Sequence, residues 1–213
     1  MNEFAIGFGP TIWKKQGKET KYALRLIPLG GFVSMEGEEE RSEQKGSFSK
    51  ASIPKRMAIV VAGATVNIIF GVVVYFILVA SIGTEGFINN CINAWMNTQE
   101  FMISIFDSLK EIFTGNISVD QMMGPVGISE TVAKTSGIKE FVYLLSVISV
   151  SLGVTNLLPI PALDGGKLLI LLIEAIRRKP MKQQTEINIQ LIGFSLLIAL
   201  SLYVTYNDIV RIF

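Results

Sequence analysis

The chain has 213 residues, half of them hydrophobic, and its 19 basic and 18 acidic residues leave a formal charge of +1. A balance this even offers neither a basic surface for nucleic acid nor an acidic one for a cationic partner. The apolar residues fall in long uncharged blocks instead of recurring at intervals. This argues against a soluble domain of this length, whose remaining polar residues could not surround three such blocks.

Residues 1–35 alternate apolar and polar positions in "FAIGFGPTIWKK" and "KYALRLIPLGGFVSMEGE", punctuated by Gly7, Gly9, Pro10, Pro28, Gly30 and Gly31. This reads as β-structure with a hairpin turn in "KKQGKET". The sheet could rest on a membrane surface or dip beside membrane helices, where protein or a water-filled cavity must satisfy its backbone. Residues 36–56 are polar and charged and read as a mobile loop. Residues 57–84 carry no charge in 28 positions, and their "AGATVN" places Ala62, Gly63 and Ala64 for close helix packing. Asn67, one turn on, needs a partner if buried. In residues 85–140, Phe101, Ile105, Leu109 and Ile112 recur at helical spacing. That helix could lie in the membrane interface or pack on the outer ends of the spans. A turn-rich linker with a bend at Gly124-Pro125 follows it.

Residues 141–163 are uncharged for 23 positions and are broken by Pro159 and Pro161. Each proline lacks an N–H and disfavours helix in the residue before it. In 164–186 a short amphipathic segment, "KLLILLIEAIRRK", resumes after Gly165-Gly166. Residues 187–207 form a third uncharged block of 21, and 208–213 a tail. Each block reaches the roughly 20 residues that cross about 30 Å of hydrocarbon. The first begins too late for a signal peptide. The single Cys91 allows no intrachain disulfide, and histidine is absent. The expected fold is a polytopic α-helical membrane protein with three transmembrane helices and a small membrane-associated β-element near the N-terminus.

Lys and Arg number ten in 1–56, three in 85–140, five in 164–186 and one in 208–213, while acidic residues in the first two segments are equal at seven each. Cations near membrane ends set orientation and carboxylates contribute little. Residues 1–56 and 164–186 are therefore expected in the cytoplasm, with 85–140 and the C-terminus outside.

An ionisable residue beside a broken span marks a functional site by default. In "NLLPIPALDGGK" that residue is Asp164. Three readings stand at this point: a cap for the helix starting near Lys167, a group lining a path through discontinuous helices, or a carboxylate metal ligand.

The same stretch resembles the Asn-x-x-Pro-x-Pro-x-Leu-Asp-Gly signature of the site-2 protease family, zinc metalloproteases that cut within the membrane. "EFAIGFGP", "RLIPLGGFVSMEGE", "KRMAIVVAGATVN", "GNISVDQMMGPVGI" and "YNDIVRIF" are similar, in order, to segments of the bacterial RseP-type branch. This chain reads Ala62-Gly63-Ala64 where that branch usually has Ala-Gly-Pro. The resemblance implies that Asp164 is a zinc ligand and that Asn156 helps hold the substrate or transition state. Pro159 and Pro161 shape the backbone of the cleft, and Gly30 and Gly31 belong to the substrate-binding β-region. It implies a transmembrane protein substrate such as an anti-sigma factor, the lipid bilayer as surroundings, no nucleic acid, and a place in the bacterial cytoplasmic (inner) membrane. In the family, two His ligands and a Glu base come from a His-Glu-x-x-His helix, whose i and i+4 imidazoles share a face. This chain has no such helix, and no PDZ domain fits at its 83–93 junction. The expectation is a truncated RseP-type protease, inactive without the missing helix. The rival is a non-catalytic scaffold that binds transmembrane partners, and a small transporter component is a third reading.

Overall fold

The computed structural model describes residues 3–17, 20–37, 42, 46–115 and 122–212. Its elements in chain order are β1 (Glu3–Gln16), β2 (Lys21–Ser34), a 3-10 turn (Phe48–Lys50), α1 (Ile53–Ile82), α2 (Phe87–Thr114), α3 (Pro125–Ala133), α4 (Ile138–Asn156), α5 (Asp164–Arg177) and α6 (Gln183–Ile212). Helices α1, α4 and α6 are long and apolar enough to cross a membrane. With the small sheet at the N-terminus, they make the architecture expected from the apolar blocks.

The two strands are long and bent, and their halves act as four arms. β1 turns at Gly9, whose φ of 81° is open to glycine at no steric cost. Thr11–Gln16 runs antiparallel to Lys21–Arg25 across a tight turn, in which Gly17 N–H donates to Thr20 O at 2.8 Å. On its other side Lys21–Leu24 runs parallel to Glu3–Ile6, and Glu3–Ile6 pairs antiparallel with Gly31–Ser34. The arms thus lie in the order 11–16, 21–25, 3–6, 31–34. The hairpin follows from the turn residues, but the parallel pairing between the first arms has no local sequence signal. Ala5 and Ala23 are buried at the middle of the sheet. One face exposes Phe4, Tyr22, Leu24 and Trp13, cross-strand neighbours by register. On the opposite face, Glu3 accepts hydrogen bonds from Arg25 at 2.8 Å and Lys21 at 3.1 Å. The Arg25 guanidinium, then the Lys21 ammonium, hold its carboxyl below the usual glutamate range.

The helices are organised around the crossing of α1 and α4. Ala64, Ser146 and Val150 are wholly buried there, and two glycines bring the backbones together. A Cβ added at Gly71 would stand 2.6 Å from Val150 Cγ2, and one at Gly153 would stand 2.6 Å from Ile68 Cγ1 and 2.7 Å from Ala64 O. At this separation Ser149 Oγ reaches across to donate to the Asn67 carbonyl at 2.8 Å. Of the small-residue run Ala62-Gly63-Ala64, Ala64 does the packing, while nothing lies within 4 Å of a Cβ at Gly63.

Helix α2 lays its apolar stripe along this pair. Phe101 stacks on Tyr75 with ring centroids 4.2 Å apart. It shares a core with Val150 and Val154, packed around by Ile68, Val72, Ile105 and Leu109. The stripe is therefore satisfied by protein and extends along α1 beyond its last turn, while Ile112 stays largely exposed. The segment expected as a loop at 36–56 also packs in part. Phe48 is buried with Val60 of α1 and Leu171 of α5, and its N–H donates to Glu36 O at 2.8 Å.

Two carboxylates close the remaining joints. Glu174 of α5 is 3% exposed and pairs with Arg56 at 3.0 Å. It also accepts Met181 N–H at 2.7 Å, and the Arg56 guanidinium lies 5.1 Å above the Phe48 ring. Asp208 of α6, 1% exposed, accepts Gly127 N–H from the first turn of α3 at 2.7 Å and an Arg211 N–H at 3.2 Å. An anion is favoured at a helix N-terminus, and side chains at Gly124 or Gly127 would strike this carboxylate.

Two outcomes are expected. Gly153→Val should weaken the α1–α4 crossing by about 2 kcal/mol, read as a lower thermal unfolding temperature in detergent, whereas Gly63→Ala should not lower it. Because the folded-state pKa of Glu3 is depressed, its stabilisation of the sheet is present above the ordinary carboxylate range and is lost as pH falls through the lowered value. Amide exchange in 21–25, corrected for intrinsic rates, should therefore accelerate below about pH 4. Glu3→Gln should remove that pH dependence.

Candidate active site at the α4–α5 turn

Helix α4 stops at Asn156, seven residues before the uncharged block ends. Leu157 N–H returns to Val154 O at 3.1 Å and Leu158 N–H to Thr155 O at 3.0 Å, after which Pro159 has no N–H to continue the ladder. The chain then folds tightly, with Ile160 N–H donating to Leu158 O at 2.7 Å and Leu163 N–H to Ile160 O at 3.2 Å. The second bond closes the turn Ile160-Pro161-Ala162-Leu163. Pro161 pre-sets the second position, and Ala162 stands third with a φ of 76°, where a type II turn favours glycine. For an L-residue with a Cβ this backbone costs roughly 1–2 kcal/mol.

Helix α6 holds the turn. Gln190 Oε1 accepts the Ala162 N–H at 2.6 Å. Gly193, three residues on, receives Pro161 so closely that any Cβ there would run into its ring and carbonyl. The Gln190 Nε2 is shut off from solvent and has no partner among the described residues.

Helix α5 begins at Asp164 itself, with Leu163 in the N-cap position. This corrects the expectation that the helix resumes after Gly165-Gly166. The cap position belongs to Leu163, which has no side-chain oxygen, so Asp164 does not stand where a capping side chain would. The glycine pair lies inside the first helical turn. A Cβ at Gly165 would meet the carbonyls of Leu157 and Leu158, and one at Gly166 the carbonyl of Ile160. Their role is close approach of helix to turn, which presses the start of α5 into the end of α4. Asp164 is partly buried in the first turn, where the helix dipole favours a carboxylate.

Asn156, Pro159, Pro161 and Asp164 thus fall within one short, tightly wound segment. Gly30 and Gly31 lie elsewhere, in the second half of β2 with Gly31 opposite Ile6, and no helix packs extensively on the sheet. Gln190 and Gly193 were missed by the sequence reading. The available signal was a polar amide inside an otherwise apolar block, which needs a partner wherever it is buried.

Zinc requires three or four nitrogen, sulfur or oxygen donors converging on one point. The chain contains no histidine, and among the described residues no three acidic or cysteine side chains come together to hold a metal. The described residues therefore do not by themselves fit a catalytic zinc ion. Asp164 is a single carboxylate.

The sequence profile of peptidase family M50 matches residues 1–200. The zinc metalloprotease RasP of Shouchella clausii (strain KSM-K16) is 48% identical over 112 residues, which are 52% of this chain and 27% of that protein. The regulator of sigma-W protease RasP of Bacillus subtilis (strain 168) is 45% identical over 120 residues, 55% of this chain and 28% of that one. The match therefore spans little more than a quarter of either RasP relative. A putative zinc metalloprotease of Clostridium acetobutylicum is 27% identical over 300 aligned positions, covering 99% of this chain and 88% of its own length. At least 87 of those 300 positions have no counterpart among the 213 residues here. With the family profile matching residues 1–200 of the 213, and the Pro-x-Pro-x-Leu-Asp-Gly turn at the end of a membrane-length helix, the chain belongs to peptidase family M50, the site-2 proteases.

Proposed function

We propose that this chain is the substrate-holding part of an intramembrane zinc metalloprotease that cleaves transmembrane segments of membrane-bound regulators, an anti-sigma factor being the model substrate. The observation that carries the reading is the turn at 160–164, wound against α6 in a left-handed conformation at the end of a membrane-length helix, in a chain of family M50. Relatives named zinc metalloprotease and regulator of sigma-W protease support the reaction and substrate class. The cation count supports an inner-membrane orientation with 1–56 and 164–186 on the cytoplasmic side.

Within this reading Asp164 would give one carboxylate to a zinc ion, whose remaining donors are not found among the described residues. Zinc would supply the electrophile for peptide-bond hydrolysis. The chain's own residues do the rest. Asn156, at the last turn of α4, offers an amide to hold the substrate's main chain beside the turn. Pro159 and Pro161 keep the local backbone open, because neither can join a helical ladder. A helical peptide bond is shielded by its own hydrogen bonds, so the substrate must be extended before cleavage. Strand addition to a free sheet edge does this. The inner arms 21–24 and 3–6 are paired on both sides, whereas 11–16 and 31–34 each pair on one side only among the described residues. Of these two edges, 31–34 is the accepting one in this reading, with Gly30 and Gly31 leading into it.

The test is cleavage of a tagged single-span anti-sigma factor by the full-length gene product in membranes supplied with zinc. Asp164→Asn should lower the rate by about 100-fold or more, and Val33→Pro should lower it while Ile12→Pro, in the other edge arm, leaves it near normal. Cleavage that survives Asp164→Asn undiminished overturns the proposal. Substrate capture with no cleavage at all identifies a scaffold instead.

A further inference from the structure

We propose that Gln190 is a positioning residue of this site, holding Ala162 in its left-handed conformation and so setting where the Asp164 carboxylate points. The significance for proteolysis rests on the function proposed above, but the clamp itself does not.

Four observations converge on Gln190. Ala162 adopts a φ of 76°, which an L-residue keeps only when its surroundings impose it. Its N–H, turned out of the turn, is taken by Gln190 Oε1 at 2.6 Å, a hydrogen bond joining two elements 28 residues apart. Three residues along the same helix, Gly193 makes a socket for Pro161, so α6 templates both central residues of the turn. Asp164 follows two residues after Ala162, and its helix is pressed by Gly165 and Gly166 against the carbonyls of 157, 158 and 160. No flexible linker separates Ala162 from the carboxylate, and a change of φ at 162 must move the first turn of α5.

A further observation concerns the cost. Gln190 Nε2 is sealed from solvent with no partner among the described residues, and a buried unpaired amide donor is unfavourable. A leucine of similar volume would fill the place without that penalty. What leucine cannot do is accept the Ala162 N–H. The donor also fixes the assignment of the amide, since an N–H must face the oxygen. Gln190 is thus kept for its acceptor.

The clamp makes a prediction that general destabilisation does not. Glycine adopts a positive φ freely, so Ala162→Gly should make the clamp unnecessary. The experiment uses the protein with Cys91→Ala and Asp164→Cys, reconstituted in nanodiscs, and two readouts independent of catalysis. These are exchange of the 15N-labelled residue-162 amide by NMR and the labelling rate of the introduced thiol at position 164 by a small maleimide. Gln190→Leu should raise amide exchange by about tenfold and change thiol labelling by about fivefold. Gln190→Glu, which keeps an acceptor, should change both less. Adding Ala162→Gly to Gln190→Leu should return labelling to within about twofold of the parent. Exchange and labelling unaffected by Gln190→Leu overturn the proposal, as does a loss that Ala162→Gly fails to rescue, for that is the mark of generic unfolding. In the cleavage assay with Asp164 restored, Gln190→Leu should lower kcat more than it raises KM. If the parent protein cleaves nothing, the protease reading fails, and the two structural readouts still decide the clamp.

Discussion

The architecture depends on how closely α1 and α4 approach. Hydrocarbon gives no hydrophobic drive for two apolar helices to associate, so packing and a few polar contacts must suffice. Gly71 and Gly153 remove the side chains that would hold the backbones apart, and Ser149 can then reach the main-chain oxygen of Asn67. Helices α2 and α5 are assembled on this pair. α2 inserts Phe101 against Tyr75 at its flank, and α5 anchors to the opposite end of α1 through Glu174 and Arg56. The turn at 157–163 is carried by the end of α4. Its position relative to α1 is therefore inherited from the glycine crossing.

The three membrane-length helices were legible in the sequence because hydrocarbon thickness imposes a length that composition alone reveals. Their ends were less so. α4 stops well short of the last uncharged residue because the effect of Pro159 extends backwards along the chain. The glycine pair at 165–166 reads locally as a turn, and only the proximity of the carbonyls of 157, 158 and 160 shows that it belongs to a helix. The parallel pairing of 3–6 with 21–24 was invisible for a related reason. It joins segments 18 residues apart across both a bend and a hairpin, and alternation specifies faces but not neighbours. Asp164 was found by chemistry, as an acid beside a broken span. Gln190 was not, since one amide in a long apolar block means little until its partner is known.

The candidate site combines elements of different rigidity. Its signature turn is fastened on three sides, by the α4 terminus, the α5 terminus and the 190–193 face of α6. The sheet is held mainly by its own pairing and the Glu3–Arg25–Lys21 ion cluster. A firmly held turn and a more independent strand-bearing element in one chain suit the proposed task, in which an extended peptide must first be collected and then presented at a fixed point.

The carboxylate of Asp208 has a consequence for how this chain tolerates change. By accepting the Gly127 N–H it ties the start of α3 to the end of α6, and so closes α3, α4, α5 and α6 into a ring with both ends at one place. Helix α2 leans on that ring through Phe101, which is buried with Val150 and Val154 of α4. Lengthening a connection adds only slowly to the entropy of closing it. A longer connection between α2 and α3 would therefore cost the ring, and the turn inside it, little.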